Sequence, residues 1–62
     1  MISIYLCDDH DEQLHLFQKI LENYIDKTRI EAQIVSVRNN PEDTIADSKR
    51  EKEEKALFFV DI

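Results

Sequence analysis

The sequence predicts an α/β fold, a doubly wound parallel sheet reading β-α-β-α-β. Two compact apolar runs, ISIYLC at 2–7 and ALFFV at 56–60, each stop abruptly at aspartate. Between them, apolar residues recur at helical spacing over 11–26, and Asn39-Asn40-Pro41-Glu42-Asp43 has the form of a second helix start. Alternating strand and helix signals imply parallel strands joined by right-handed crossovers.

The first run is rich in β-branched and aromatic residues and has no polar alternation. It reads as a strand buried on both faces. In the next segment Leu14, Phe17, Leu21 and Tyr24 form a stripe that Ile20 and Ile25 widen, the mark of an amphipathic helix. Asp11 and Glu12 suit its positive N-terminus, and Asp9 or Asp11 would supply the cap. In a complete domain the stripe is expected to pack as core. Lys27-Thr28-Arg29 reads as a polar connection.

Residues 30–37 carry Ile34, Val35 and Val37 and read as a second strand, whose mixed character suits a sheet edge. The second helix takes an Asn cap, Pro41 at its first position and acids in its first turn. It is expected to reach about Lys52, with Ile45 and Ala46 as its main anchors. The mixed charges of 50–55 read as a solvated face or loop. Residues 56–60 read as a third buried strand, ending at Asp61-Ile62.

Composition narrows the functional classes. A chain of 62 residues is near the lower limit for independent folding. Cys7 is the only cysteine, which excludes a disulfide scaffold and a cysteine-rich zinc site. The net charge of −6 disfavours a direct nucleic-acid surface. No signal peptide or membrane-length apolar run is present, so the expectation is a soluble, cytoplasmic protein without membrane association. Glycine is absent, so no glycine-rich phosphate cradle exists and turns are expected to rely on Asp, Asn and Pro.

Element lengths bring the aspartates together. A helix of about 15 residues spans ~22 Å and a six-residue strand ~20 Å, so each helix returns the chain to the starting edge. In the strand order 2-1-3, which the doubly wound class supplies, the first and third strands are neighbours. Asp8, Asp9 and Asp61 then share one rim, at the switch point where such sheets bind ligands. Three clustered carboxylates repel, and a hard cation such as Mg²⁺ relieves that repulsion. An aspartate so placed can act as a nucleophile toward a phosphoryl group.

These residues resemble a known family. A strand followed by Asp8-Asp9, an amphipathic helix, and a strand followed by Asp61 look like the receiver domains of two-component response regulators. The segments IYLCDDHDEQ, NYI, NNPED and LFFVDI are most similar to the branch linked to LytTR-type DNA-binding domains, which includes accessory gene regulators and related pheromone regulators. The resemblance spans the whole chain but about half of a receiver. It implies a flavodoxin-like sheet, Mg²⁺ held by Asp8, Asp9 and Asp61, and phosphorylation of Asp61 by a sensor histidine kinase. It further implies a homodimer in the parent protein and control of transcription through a separate DNA-binding domain. A metal-binding backbone carbonyl, a hydroxyl residue and a lysine complete the family's site, and all are expected beyond Ile62. The chain alone is therefore expected to be impaired in phosphotransfer, and it is not expected to be an enzyme.

Plainer readings stand beside these. Asp8 and Asp9 would serve as helix caps, and Asp61 as a solvated strand-end acid. Cys7 fits strand packing better than redox chemistry. His10 suits an ordinary loop histidine, although it adjoins the acids and would tune access to them. His15 suits a surface position. Two other functional classes remain open. One is a phosphatase or hydrolase with Asp61 as nucleophile, marked by a second acid shortly after it. The other is a non-catalytic interaction segment whose exposed stripe binds another chain.

Overall fold

The computed structural model describes residues 1–50 and 55–61. Five elements follow in the expected alternation: β1 (Ile2–Asp8), α1 (Asp11–Thr28), β2 (Ala32–Arg38), α2 (Pro41–Arg50) and β3 (Lys55–Asp61). The strands form one open parallel sheet in the order β2-β1-β3. No helix among the described residues is long and apolar enough to cross a membrane. The expected extension of α2 to Lys52, most of the charge run at 50–55, and Ile62 lie outside the described residues.

β1 is the centre of the molecule, buried on both faces as its largely apolar run predicts. Side chains alternate across it. Ile4 and Leu6 join Leu14 and Ala32 in the core on one face, with Leu21, Ile25, Ile34 and Val37 packed around them. Ser3, Tyr5 and Cys7 are buried on the other face. Helix α1 covers the first face, while α2 reaches the second through Asp47.

α1 runs two residues further than its apolar stripe implies, through Thr28. It ends at Arg29, which adopts a left-handed conformation (φ 56°) and donates its backbone N–H to the Ile25 carbonyl. That reversal falls to Arg29, rather than to the Asp, Asn and Pro residues expected to shape the turns. The cap also differs from expectation. His10 occupies the N-cap position with no side-chain cap bond, so neither Asp9 nor Asp11 fills that role. The stripe is split. Leu14 is buried and Leu21 and Ile25 are half-buried, but Phe17, Ile20 and Tyr24 remain exposed because they lie on the flank turned from the β1–β2 core.

α2 begins as its sequence directs. The Asn40 side-chain oxygen accepts the Asp43 backbone N–H at 2.9 Å, and the Asn40 amide donates to the Asp43 carboxylate at 2.9 Å. Its anchors are not the expected ones. Ile45 and Ala46 face solvent, whereas Thr44 and Asp47 are buried. The reason lies in β2. Its register slips by one residue between the Ile4–Ile34 and Tyr5–Ser36 pairs, leaving Val35 over. Ile34 and Val37 therefore both face α1, while Ser36 and Arg38 turn toward α2 and meet a polar helix face.

β2 is an edge strand, in agreement with its mixed sequence. β3 is the opposite edge of the described sheet and contradicts the expectation of a buried strand, since all seven of its residues are exposed. Both helices lie over β1 and β2. β3 receives one aromatic contact on each face, Phe59 against Phe17 (centroids 5.3 Å apart, edge-on) and Phe58 stacked on Tyr5 (4.6 Å).

Candidate functional site

The site is assembled by the β1–β3 ladder. Parallel pairing runs from Ile2–Lys55 through to Asp8–Asp61, so the two aspartates are direct partners at the C-terminal ends of their strands. They project on the same face as Leu6 and Phe59, the side on which α1 begins. Both line a cavity of about 350 Å³ walled by Leu14, Phe17 and Phe59, with Gln13 at its polar side.

The turn between β1 and α1 orients the acids. Asp8 accepts the His10 backbone N–H at 2.9 Å, which fixes its carboxylate at the strand end. The Asp8 side chain is 14% exposed, and that of Asp9 51%. The His10 imidazole lies over the pair, with Nδ1 2.8 Å from Asp9 and 3.5 Å from Asp8. Donor atoms of Asp8, Asp9 and His10 all lie within 4.8 Å of one another, a grouping able to hold a metal ion. Asp61 is brought beside Asp8 by the ladder and the shared cavity, but it is not a member of that tight trio. His10, read from sequence as an ordinary loop residue, belongs to the acidic cluster. Cys7 is buried and unpaired beneath it, as a packing residue would be.

A second polar cluster went unread in the sequence. The Asp47 carboxylate accepts from Ser36 Oγ at 2.7 Å, from Arg38 Nε and Nη2 at 2.8 and 3.1 Å, and from Arg50 Nη2. The Arg38 hydrogen bonds, then that of Ser36, hold its carboxyl well below the usual range against the opposing effect of burial. Arg38 is correspondingly raised, chiefly by its hydrogen bond to Asp47. The i,i+3 spacing of Asp47 and Arg50 was legible. Their meeting with Ser36 and Arg38 depends on the β2 register, which no local pattern reveals.

The two clusters differ chemically. Around Asp47, cations and a hydroxyl saturate the carboxylate, and the result is a structural clamp between α2 and β2. At the strand ends, carboxylate oxygens gather beside a cavity with the His10 imidazole against them, an arrangement open to a cation or a reacting group. Oxygen donors of this kind suit a hard divalent ion, and the imidazole adds a borderline nitrogen donor. In comparisons with known proteins, no family model, curated protein or solved structure matches this chain.

Proposed function

We propose that the chain is the phosphoacceptor portion of a two-component receiver domain of the flavodoxin-like class, closest to the LytTR-linked branch. In this reading a sensor histidine kinase phosphorylates Asp61, and a DNA-binding domain elsewhere in the protein converts the signal into transcriptional control. What carries the reading is the pairing of Asp61 with Asp8 at the C-terminal rim, with Asp9 adjacent and a cavity between the strands and α1.

The chemistry follows from the residues. A carboxylate oxygen of Asp61 attacks the phosphorus of a phosphohistidine. The new O–P bond makes an acyl phosphate as the P–N bond breaks, and the histidine leaves as imidazole. Asp8 and Asp9 would hold Mg²⁺ together with Asp61, and the ion would supply charge neutralisation for the incoming phosphoryl oxygens. Gln13 and Phe17 border the space the phosphoryl group would enter, with Phe17 limiting water on its apolar side.

The test is to incubate the complete receiver that carries this chain with acetyl phosphate and Mg²⁺ and map the modified residue by mass spectrometry after borohydride trapping. Label is expected on Asp61, absent in Asp61→Asn and retained in Asp11→Asn. Modification of another residue while Asp61 stays untouched overturns the assignment.

A further inference from the structure

We infer that His10 is a metal-selecting residue, a third ligand that joins Asp8 and Asp9 through its imidazole Nδ1 and favours a first-row transition ion such as Ni²⁺ or Zn²⁺ over Mg²⁺. The inference rests on the metal-binding part of the phosphoacceptor reading and gives that site its ion class.

The three donors come from one short stretch of chain. Asp8 closes β1, Asp9 follows, and His10 holds the N-cap position of α1. Local backbone geometry sets their arrangement. His10 is extended (φ −103°, ψ 106°), and its backbone N–H donates to the Asp8 carboxylate at 2.9 Å. A polar N-cap side chain ordinarily turns inward to accept a helix N–H. That of His10 makes no such bond and lies against the acids instead, with Nδ1 2.8 Å from Asp9 and 3.5 Å from Asp8. The grouping is built from residues 8–10 themselves and does not depend on what packs against β3.

Their spacing suits a single ion. With metal–donor bonds of about 2.1 Å, adjacent donors of an octahedral ion are roughly 3.0 Å apart and opposite donors roughly 4.2 Å. His10 Nδ1 stands near the adjacent-donor separation from Asp9 and somewhat beyond it from Asp8, and all three donors fall within 4.8 Å of one another. A small rotation of the imidazole closes the longer gap.

Donor type then decides which ion gains. Mg²⁺ prefers oxygen and gives up its water reluctantly, so an imidazole adds little to its affinity. Ni²⁺ and Zn²⁺ take imidazole nitrogen readily. Transition-ion binding is not diagnostic by itself, because these ions accept many nitrogen and oxygen donor sets. The share that disappears with His10 is diagnostic. An imidazole that served only as a hydrogen-bond partner of Asp9 would affect both ions alike.

Calorimetric titration of the complete receiver that carries this chain, with Mg²⁺ and separately with Ni²⁺, tests the inference. His10→Ala should weaken Ni²⁺ binding roughly tenfold or more and change Mg²⁺ binding by less than about twofold. His15→Gln, in α1, should leave both unchanged. His10 makes no side-chain cap bond, and circular dichroism will verify that the variant keeps its fold. In the wild type, paramagnetic Ni²⁺ should broaden the His10 imidazole resonances before those of His15, a readout that needs no variant. Equal losses of both ions in His10→Ala, no loss of Ni²⁺, or a matching loss in His15→Gln overturns the inference while leaving the acidic pair as the Mg²⁺ site. Failure of the wild type to bind either ion, or binding indifferent to Asp8→Asn, overturns the inference and the metal-binding reading together.

Discussion

Arg38 of β2 and Asp47 of α2 meet as a forked ion pair, Nε to Oδ2 at 2.8 Å and Nη2 to Oδ1 at 3.1 Å. Asp47 is 7% exposed, and its remaining acceptor capacity is filled by Ser36 and Arg50. Two donor residues, Ser36 and Arg38, come from the strand and one, Arg50, from the helix itself, so the carboxylate fixes how α2 lies on the sheet.

This pair makes stability sensitive to acid. The folded state holds the Asp47 carboxyl below its ordinary value of 3.8, so the unfolded chain takes up the proton first as pH falls. The stabilisation is whole above the unfolded-state value. It declines as pH passes below that value and is gone once pH has fallen through the folded-state one. Urea denaturation at pH 7 and near pH 3 should show a steeper acid loss for wild type than for Asp47→Asn. Equal losses would remove Asp47 as the cause.

Arg29 offers a simpler gain. A left-handed conformation costs a residue bearing a Cβ about 1 kcal/mol, and asparagine tolerates it better. At φ 56°, Arg29→Asn should raise stability by up to about 1 kcal/mol, read from the urea midpoint. A lower midpoint would mean that the Arg29 side chain contributes more than its backbone costs.

The slip in β2 predicts an unusual tolerance. Val35 is the residue left over, and every other pair of the β1–β2 ladder survives its deletion. Deleting Val35 should cost less than Leu14→Ala, which empties a core position and should cost about 2–5 kcal/mol. Denaturation of the two variants decides the order, and complete unfolding on deletion of Val35 would show that the slip itself is required.

The Phe17–Phe59 contact ties α1 to β3 across the cavity beside Asp61. A double-mutant cycle with Phe17→Leu and Phe59→Leu should give a coupling of about 0.5 kcal/mol, the low end for edge-on aromatic pairs because both rings are partly exposed. A coupling indistinguishable from zero would mean that the contact does not hold α1 against the edge strand.

At the strand ends, titration with Mg²⁺ followed by NMR should shift the amides of Asp8, Asp9 and Asp61 while leaving Asp47 unmoved, and a chelator should reverse the shifts. Asp8→Asn should weaken the response at least as much as Asp9→Asn, because Asp8 is the less exposed acid and the ladder partner of Asp61. Shifts confined to His10 and Asp9 would place the ion on the outer side of the turn, away from Asp61.

Sequence alone determined whatever depends on neighbours along the chain. The largely apolar run at 2–7 read as a strand covered on both faces, Asn40 before Pro41 read as a helix start, and the helix lengths implied that all three strands run in parallel. The arrival of Asp8 and Asp61 at one end of the sheet was legible for the same reason. Tertiary structure decided what depends on meetings between distant residues. It chose which flank of the α1 stripe is covered, gave α2 the polar anchor Asp47 in place of Ile45, and left 56–60 at an edge of the described sheet. The physical reason is that side-chain period reveals which residues share a face, but not whether anything lies opposite that face. Cover depends on register and strand order, and a one-residue slip in β2 was enough to redirect Ser36 and Arg38 toward a helix that local pattern assigned to an apolar contact.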